Sequence, residues 1–437
     1  MAQKEILIVG AGVSGLMAAR ELAKAGWKTT ILEARNRIGG RIYTLHDDSF
    51  SAPVELGAEF IHGNLPVTIK LLKEAGVSYQ ATKGKFLQVT HDEAKKENNP
   101  IPDWPLLEKQ LRKLHHDMTI ADFLAQFFKG EKYATLKGSV TGFSEGYDAA
   151  DVTRASVFAF RDEWLKEEDA QQYRIREGYG KLMNFLADQC TSRGASIHLS
   201  LIVKEIHWQK DYVSIITKSG ESFEANKAVI TVPLGILLAP PTSPGFISFF
   251  PAIPDKMKSI QSMGYGGVIK ILLQFNGRFW TDAAVEKRIG YNLQDTGFIF
   301  SEAAISTWWT QLPEKNSLLT GWLAGPRAEK WKSASEENIL QEAINSLAFI
   351  FKMSEAEVKE KLAAHRIMNW IADPFSLGAY SYITIDTKEA RKVLRHPADN
   401  TLFFAGEAVC DDFEAGTVEN ALSSGQQVAK EISAHDY

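Results

Sequence analysis

Three glycines near the start of the chain have the spacing of a phosphate cradle. Gly10, Gly12 and Gly15 of "GAGVSG" stand in G-x-G-x-x-G register, with Val13 and Ser14 between the last two, and Glu33 follows Gly15 by 18 residues. The chemistry is direct. Gly10 permits a tight turn, Gly12 lets the backbone approach a pyrophosphate, and Gly15 lets a helix pack close to a strand. N–H groups at that helix's start can face the phosphates, and Glu33 can accept hydrogen bonds from ribose hydroxyls. The glycines do not choose between NAD and FAD. "EARNRIGGRIYT" places Ala34, Arg35, Arg37, Gly39, Gly40 and Arg41 directly after the acidic residue. This second glycine turn, with its arginines, could hold the far end of a long dinucleotide. "ELGAEFIHG" then offers Gly57 and Ala58, small enough for a flat ring to pass, followed by Glu59, Phe60 and His62.

A lysine poses the second question. Residues 264–275 read "GYGGVIKILLQF", apolar on both sides of Lys270. A strand with one wet face would alternate, and this one does not, so both faces are expected to be covered. An ammonium removed from water must be paired or change its pKa. The alternative is an edge position from which the lysine snorkels to solvent. The stretch alone leaves both open.

The elements that must position these residues are partly legible. "EILIVG" has the unbroken apolar character of a buried parallel strand, "SGLMAARELAKAG" has helical spacing, and "KTTILEA" is a second strand, together a β-α-β unit. Residues from about 76 to 177 are more charged and more helical, with a loop at "HDEAKKENNPIPDWP" and a helix capped by Thr119 at "TIADFLAQFF". Strands return at residues 195–233, and "SEENILQEAINSLAFIF" predicts a helix. "NTLFFAGEAV" is another buried strand ending in glycine, and "TVENALSSGQQVAKEI" is a final helix. The pattern predicts two interleaved domains built from discontinuous pieces.

Composition bounds the rest. The chain has 437 residues, is 45% hydrophobic and 24% charged, and carries a formal net charge of -5, which gives no sign of a nucleic-acid partner. Cys190 and Cys410 lie far apart, with no metal-ligand spacing and no disulfide framework. The first strand begins within a few residues of Met1, leaving no room for a signal peptide before it, and the uncharged stretch Ala228–Pro254 is broken by six prolines. The expectation is a protein without a membrane span, placed in the cytoplasm. Nothing indicates its oligomeric state.

These motifs, taken in order, resemble the flavin-containing amine oxidases, the group of monoamine oxidases, polyamine oxidases and lysine-specific histone demethylases. The resemblance spreads over the whole chain. "IVGAGVSGLMAARELAKAG" with "ILEARNRIGGRI" is similar to the family's FAD signature. "ELGAEFIHG", "LIVKEI" with Val203, "GGVIK" with Lys270, "WIADPFSLGAYSY" with Trp370 and Tyr380, "LFFAGEAV" with Gly406 and Glu407, and "AGTVENALSSGQQVA" with Thr417 and Val418 resemble later segments. The implied fold is α/β and α+β: a Rossmann-like FAD-binding domain of residues 1–75, 178–255 and 376–437. Interleaved with it is a mixed-sheet and helical substrate-binding domain of residues 76–177 and 256–375.

The resemblance also implies a reaction. An amine loses a hydride equivalent to flavin N5, the imine hydrolyses, and O2 reoxidises the flavin with release of peroxide. Lys270 would hold a water near the flavin and favour the reaction with oxygen; Tyr380 would line the substrate path. His62 and Thr417 would reach substrate, Val203 would sit by the adenine, and Trp370 beside the flavin. Monoamine oxidases attach FAD through a cysteine where this chain has Ala379, so the FAD is expected to be non-covalent. They also have a second tyrosine where this chain has Thr417, which, with the missing cysteine, places polyamines ahead of aromatic monoamines. One rival is an L-amino-acid oxidase on the same fold, whose carboxylate clamp could come from Arg161, Arg174 or Arg176. Another is a non-catalytic FAD-binding regulatory protein. The acidic stretch Asp162, Glu163, Glu167, Glu168 and Asp169 reads more simply as a solvated helix face, and Trp308 and Trp309 as core.

Overall fold

Short apolar runs joined by amphipathic helices build a five-stranded parallel sheet in the computed structural model, which describes residues 4–63, 65–91, 93–95, 101, 103–165, 171–410 and 415–434. Glu167, Glu168 and Asp169 lie outside the described residues. The strand order is Ser196–His198, Lys28–Leu32, Glu5–Val9, Lys227–Ile230, Leu402–Phe404, with every neighbouring pair parallel. The first strand is therefore central, and both its faces are covered. Ile6 and Ile8 pack into a core shared with helices Val13–Lys24, Gly180–Thr191 and Val418–Ala434. Leu7 and Val9 pack on the other side against Val203, Ile206, Val213 and Ile215 of a second sheet. Two covered faces explain why "EILIV" shows no alternation. The sheet gathers N-terminal, middle and C-terminal pieces of the chain into one unit.

A seven-stranded mixed sheet draws on other pieces, in the order Leu362–Asn369, Val268–Phe275, Leu318–Ala324, Thr307–Trp309, Thr296–Ser301, Lys85–Val89, Ala94–Lys95. The lysine strand Val268–Phe275 is antiparallel to both its neighbours and all eight of its residues are buried. It is not an edge strand. Ile269, Ile271, Leu273 and Phe275 face a core that includes Ile339, Ala343 and Leu347 of helix Glu336–Phe351. The opposite face carries Val268, Lys270 and Leu272.

Local signals explain several element ends. Thr119 accepts a hydrogen bond from the Asp122 amide at the start of helix Ile120–Phe127, and Ser335 does the same for the helix that begins at Glu336. Part of the stretch expected as a loop is ordered, as the short strand Ala94–Lys95 and a helix starting at Trp104. A small sheet of Phe60–His62, Gln172–Ile175 and Tyr79–Ala81 joins the segment after Gly57 to the more helical region. Among the described residues, no helix is long and apolar enough to cross a membrane.

Candidate active site

The glycine turn leaves room where a ligand's phosphates would lie. A Cβ built on Gly12 would meet no protein atom within 4 Å, and its backbone angles, φ -73° and ψ 179°, suit any residue. A Cβ on Gly15 would lie 2.0 Å from the carbonyl oxygen of Gly10. So Gly12 is open towards a cavity, whereas Gly15 holds the helix against the strand. Ser14 Oγ, at the same helix start, is buried without a hydrogen-bond partner. An open backbone position and an unpartnered hydroxyl at a helix N-terminus fit a dinucleotide.

That cavity has a volume of about 1930 Å³. Gly10, Gly12, Val13, Ser14, Glu33, Ala34, Arg35, Gly39, Gly40, Arg41, Gly57, Ala58, Glu59, Phe60 and His62 line it. So do Val203, Lys270, Trp370, Tyr380, Gly406, Glu407, Thr417 and Val418. Of the residues in the glycine motifs and later segments, Gly15 and Arg37 do not reach it: Gly15 keeps its packing role, and Arg37 donates to the Ile38 and Ile42 carbonyl oxygens.

Hydrogen bonds fix the parts of this wall. The Glu33 carboxylate accepts from the Ala11 amide at 2.7 Å and the Arg35 amide at 2.8 Å, bracing the turn. The Leu201 amide donates to the Glu33 carbonyl oxygen, which docks the segment leading to Val203 beside it. Arg35 donates to Asp373 at 2.7 Å and Ser376 at 2.8 Å. Arg41 donates to the Ala379 carbonyl oxygen and to Glu407, and Glu407 also accepts from Ser381. Trp370 donates through Nε1 to the Leu56 carbonyl oxygen at 2.9 Å. Thr417 Oγ1 accepts from the Asn420 amide in the first turn of the last helix, so it caps that helix while lining the cavity.

Lys270 is 1% exposed and paired. Its ammonium donates to Glu59 Oε2 at 2.7 Å and to the Gly57 carbonyl oxygen at 3.0 Å. Glu59 Oε1 accepts from Arg174 Nε at 2.8 Å and from Trp309 Nε1 at 3.1 Å. Burial works against the Glu59 charge, but Lys270 and Arg174 outweigh it and hold its pKa down to about 2. Glu55 differs. Burial pushes its pKa up to about 7, and its Oε2 has no partner.

Aromatic side chains form the remaining wall. Phe60 and Trp309 meet edge to face at 5.6 Å, Trp309 lies 5.7 Å from Trp322, and Trp322 stacks on Tyr380 at 6.5 Å. Tyr380 donates to the Tyr147 carbonyl oxygen at 2.6 Å. Burial raises its phenol pKa, and the charges of Asp148 and Glu163 raise it further. His62 Nδ1 lies 3.1 Å from the Tyr147 hydroxyl, and burial lowers the imidazole pKa to about 4. Its ring is therefore neutral at physiological pH.

The sequence reading missed three participants. Arg174 was one of three interchangeable arginines, and Trp309 was assigned to the core. Trp309 is buried, but its indole N–H reaches Glu59 and its ring lines the cavity. Glu59 was grouped with the cofactor contacts; both its oxygens are taken by Lys270, Arg174 and Trp309. A signal existed: Glu59 and Lys270 are opposite charges, each set in an apolar run. Asp162 and Glu163, read as a solvated face, also line the cavity. Arg161 pairs with Asp162, and Arg176 is not in the wall. Trp308 remains core, donating to the Ile305 carbonyl oxygen.

Comparison with known proteins adds independent findings. The family model for flavin containing amine oxidoreductase matches residues 13–433. A human lysine-specific histone demethylase 2 is 29% identical over 99% of this chain, and this chain spans only 53% of that protein's length. Polyamine oxidase 5 of Oryza sativa subsp. japonica is 28% identical over 98% of this chain and 88% of its own. A solved structure of wild-type putrescine oxidase bound to putrescine superimposes with a TM-score of 0.78 at 19% identity, covering 99% of both chains.

Proposed function

The chain belongs to the flavin containing amine oxidoreductases, and from that premise we propose that it oxidises a small amine, a polyamine ahead of a monoamine, using non-covalently bound FAD and O2. The observation that carries this reading is a single cavity that runs along both the glycine turn and an aromatic pocket, with a buried, paired lysine in its wall. Bound FAD supplies the hydride acceptor, and O2 takes the two electrons to give peroxide, leaving an imine that water hydrolyses. We assign residues 1–75, 178–255 and 376–437 to the FAD-binding unit, and residues 76–177 and 256–375 to the substrate-binding unit.

The protein's own part is binding, orientation and exclusion of water. An amine reacts in its neutral form, and an aromatic wall lowers its pKa by desolvation. His62 helps by staying uncharged, so it does not repel an arriving cation. Asp148 and Glu163 line the same cavity and act on Tyr380 through their charge, which suits a second ammonium group held away from the reacting nitrogen. Lys270 serves the reaction with oxygen by holding a water. Ala379 lines the wall where a thioether would need a sulfur, and Cys190 is buried in the helical core, bonded to the Leu16 carbonyl oxygen. These features support non-covalent attachment and small-molecule amine and O2 as partners. We keep the cytoplasm as the compartment.

The amino-acid oxidase reading loses its best arginine, because Arg174 is committed to Glu59 and to the carbonyl oxygens of Thr310 and Leu312. Arg327 is the remaining candidate, lining the cavity with a loose 3.6 Å pair to Glu145. Oxygen consumption with spermine, spermidine, putrescine, benzylamine and a panel of L-amino acids decides the matter. Turnover led by the polyamines supports the proposal. Turnover of amino acids alone, lost in Arg327→Ala, replaces it.

A further inference from the structure

Lys270 has three N–H donors, and two are committed, to Glu59 Oε2 at 2.7 Å and the Gly57 carbonyl oxygen at 3.0 Å. One is left, on a residue that lines the cavity. Glu59 is itself held from the other side. Arg174 Nε and Trp309 Nε1 occupy its second oxygen, and Arg174 is anchored by the Thr310 and Leu312 carbonyl oxygens and stacks 4.6 Å from the Phe60 ring centroid. The carboxylate thus cannot rotate away from the lysine without abandoning three donors. Charge points the same way. Arg174 alone would neutralise Glu59, so the trio Lys270, Glu59 and Arg174 keeps one net positive charge in the wall.

We propose that Glu59 is a positioning residue for the oxygen reaction: braced by Arg174 and Trp309, it keeps Lys270 an ammonium and aims its one uncommitted N–H into the cavity. This rests on the role given to Lys270 under the proposed function. Without Glu59, an ammonium that is 1% exposed would keep the Gly57 carbonyl oxygen and the Trp309 ring face, 5.6 Å to its centroid, but no carboxylate bonded to it, with a guanidinium nearby. Desolvation then favours the neutral amine. The groups whose charge bears on this pair are Glu55, Glu59 and Arg174. Glu55 ionises near pH 7, so a step at that pH belongs to it and is identified by its loss in Glu55→Gln.

The test reads Lys270 directly. Nitrogen-15 NMR of lysine-labelled protein, with and without FAD, reports whether the Lys270 Nζ is ammonium or amine, the signal being assigned by its loss in Lys270→Met. The wild type is expected to read as an ammonium. Glu59→Gln is expected to show a larger amine fraction under the same conditions, and Glu59→Asp to stay charged. In FAD-loaded Glu59→Gln, reoxidation by O2 should then fall about tenfold, with the loss greater on reoxidation than on anaerobic reduction. An amine in the wild type at pH 7 overturns the proposal without any variant, so it stays testable if Glu59→Gln does not fold. A persistent ammonium in Glu59→Gln with an unaltered pH profile overturns it too. If instead the NMR result is as expected but Lys270→Met reoxidises at the wild-type rate, the oxygen role of Lys270 fails, and that outcome is distinct from a failure of Glu59.

Discussion

Gly12 and Gly15 belong to one motif, yet the structure gives them opposite jobs, and alanine at each position separates the two. At Gly15 a new methyl carbon would stand 2.0 Å from the Gly10 carbonyl oxygen, so helix and strand must part by about 1.4 Å to reach the 3.4 Å of ordinary contact. Overpacking of this kind costs roughly 1–3 kcal/mol, and the rigid backbone partner places Gly15→Ala near the upper end. At Gly12 the methyl meets no protein atom within 4 Å and the backbone is already extended. Gly12→Ala should leave the apoprotein unharmed or stabilise it by about 0.4–1 kcal/mol through the unfolded chain. Its effect falls on the ligand. Losing one charge-assisted hydrogen bond to a phosphate costs roughly 1.5–3 kcal/mol, which weakens FAD binding by about 10- to 150-fold. Urea unfolding of the apoproteins measures the first effect, and fluorescence titration with FAD the second. Equal destabilisation by both variants, or wild-type FAD affinity in Gly12→Ala, would refute the division of labour.

Other predictions follow from the buried charges and the cavity wall. Lys270→Met leaves half of Glu59 unpaired and should cost roughly 3 kcal/mol in urea unfolding, with Lys270→Met/Glu59→Gln recovering part of it; strictly additive losses would show the pair is not coupled. Glu59 has a folded-state pKa near 2 against 4.5 unperturbed, so its stabilisation is complete above pH 4.5 and is lost as pH falls towards 2; Glu59→Gln should flatten that acid limb. Glu55, raised to about 7, has the opposite sign: the wild type should lose stability between about pH 4.5 and 7, and Glu55→Gln should remove that slope in the same unfolding series. Acid precipitation should release all the flavin into the supernatant, and yellow colour retained on the pellet would contradict non-covalent binding.

The cofactor side of this molecule was the more legible because its constraints are local. Gly10, Gly12, Gly15 and Glu33 lie within one β-α-β unit, where the turn dictates residue type at each step. Lys270 was legible as a problem: the apolar run said that both faces were covered, and the strand is indeed interior and fully buried. Its solution was not. Glu59 is 211 residues away in sequence, in the loop before strand Phe60–His62, and Arg174 arrives on strand Gln172–Ile175, so no spacing rule connects them. Trp309 was hidden for another reason: a buried indole looks the same in sequence whether its N–H meets a backbone oxygen, as Trp308 does, or a buried carboxylate. Asp162 lies on an exposed helix face as read, with its side chain 62% exposed, and that Glu163 and Asp162 also border the cavity was hidden because a charged helix face and a cavity lip share the same composition.

In the proposed reaction, electrons leave an amine and reach a flavin held in this cavity. Anaerobic mixing of the FAD-loaded protein with spermidine, followed in the oxidised flavin absorption band, tests it most directly. Rapid bleaching by the polyamine is expected, with colour returning when air is admitted. A band that persists through polyamines, monoamines and amino acids alike would contradict it.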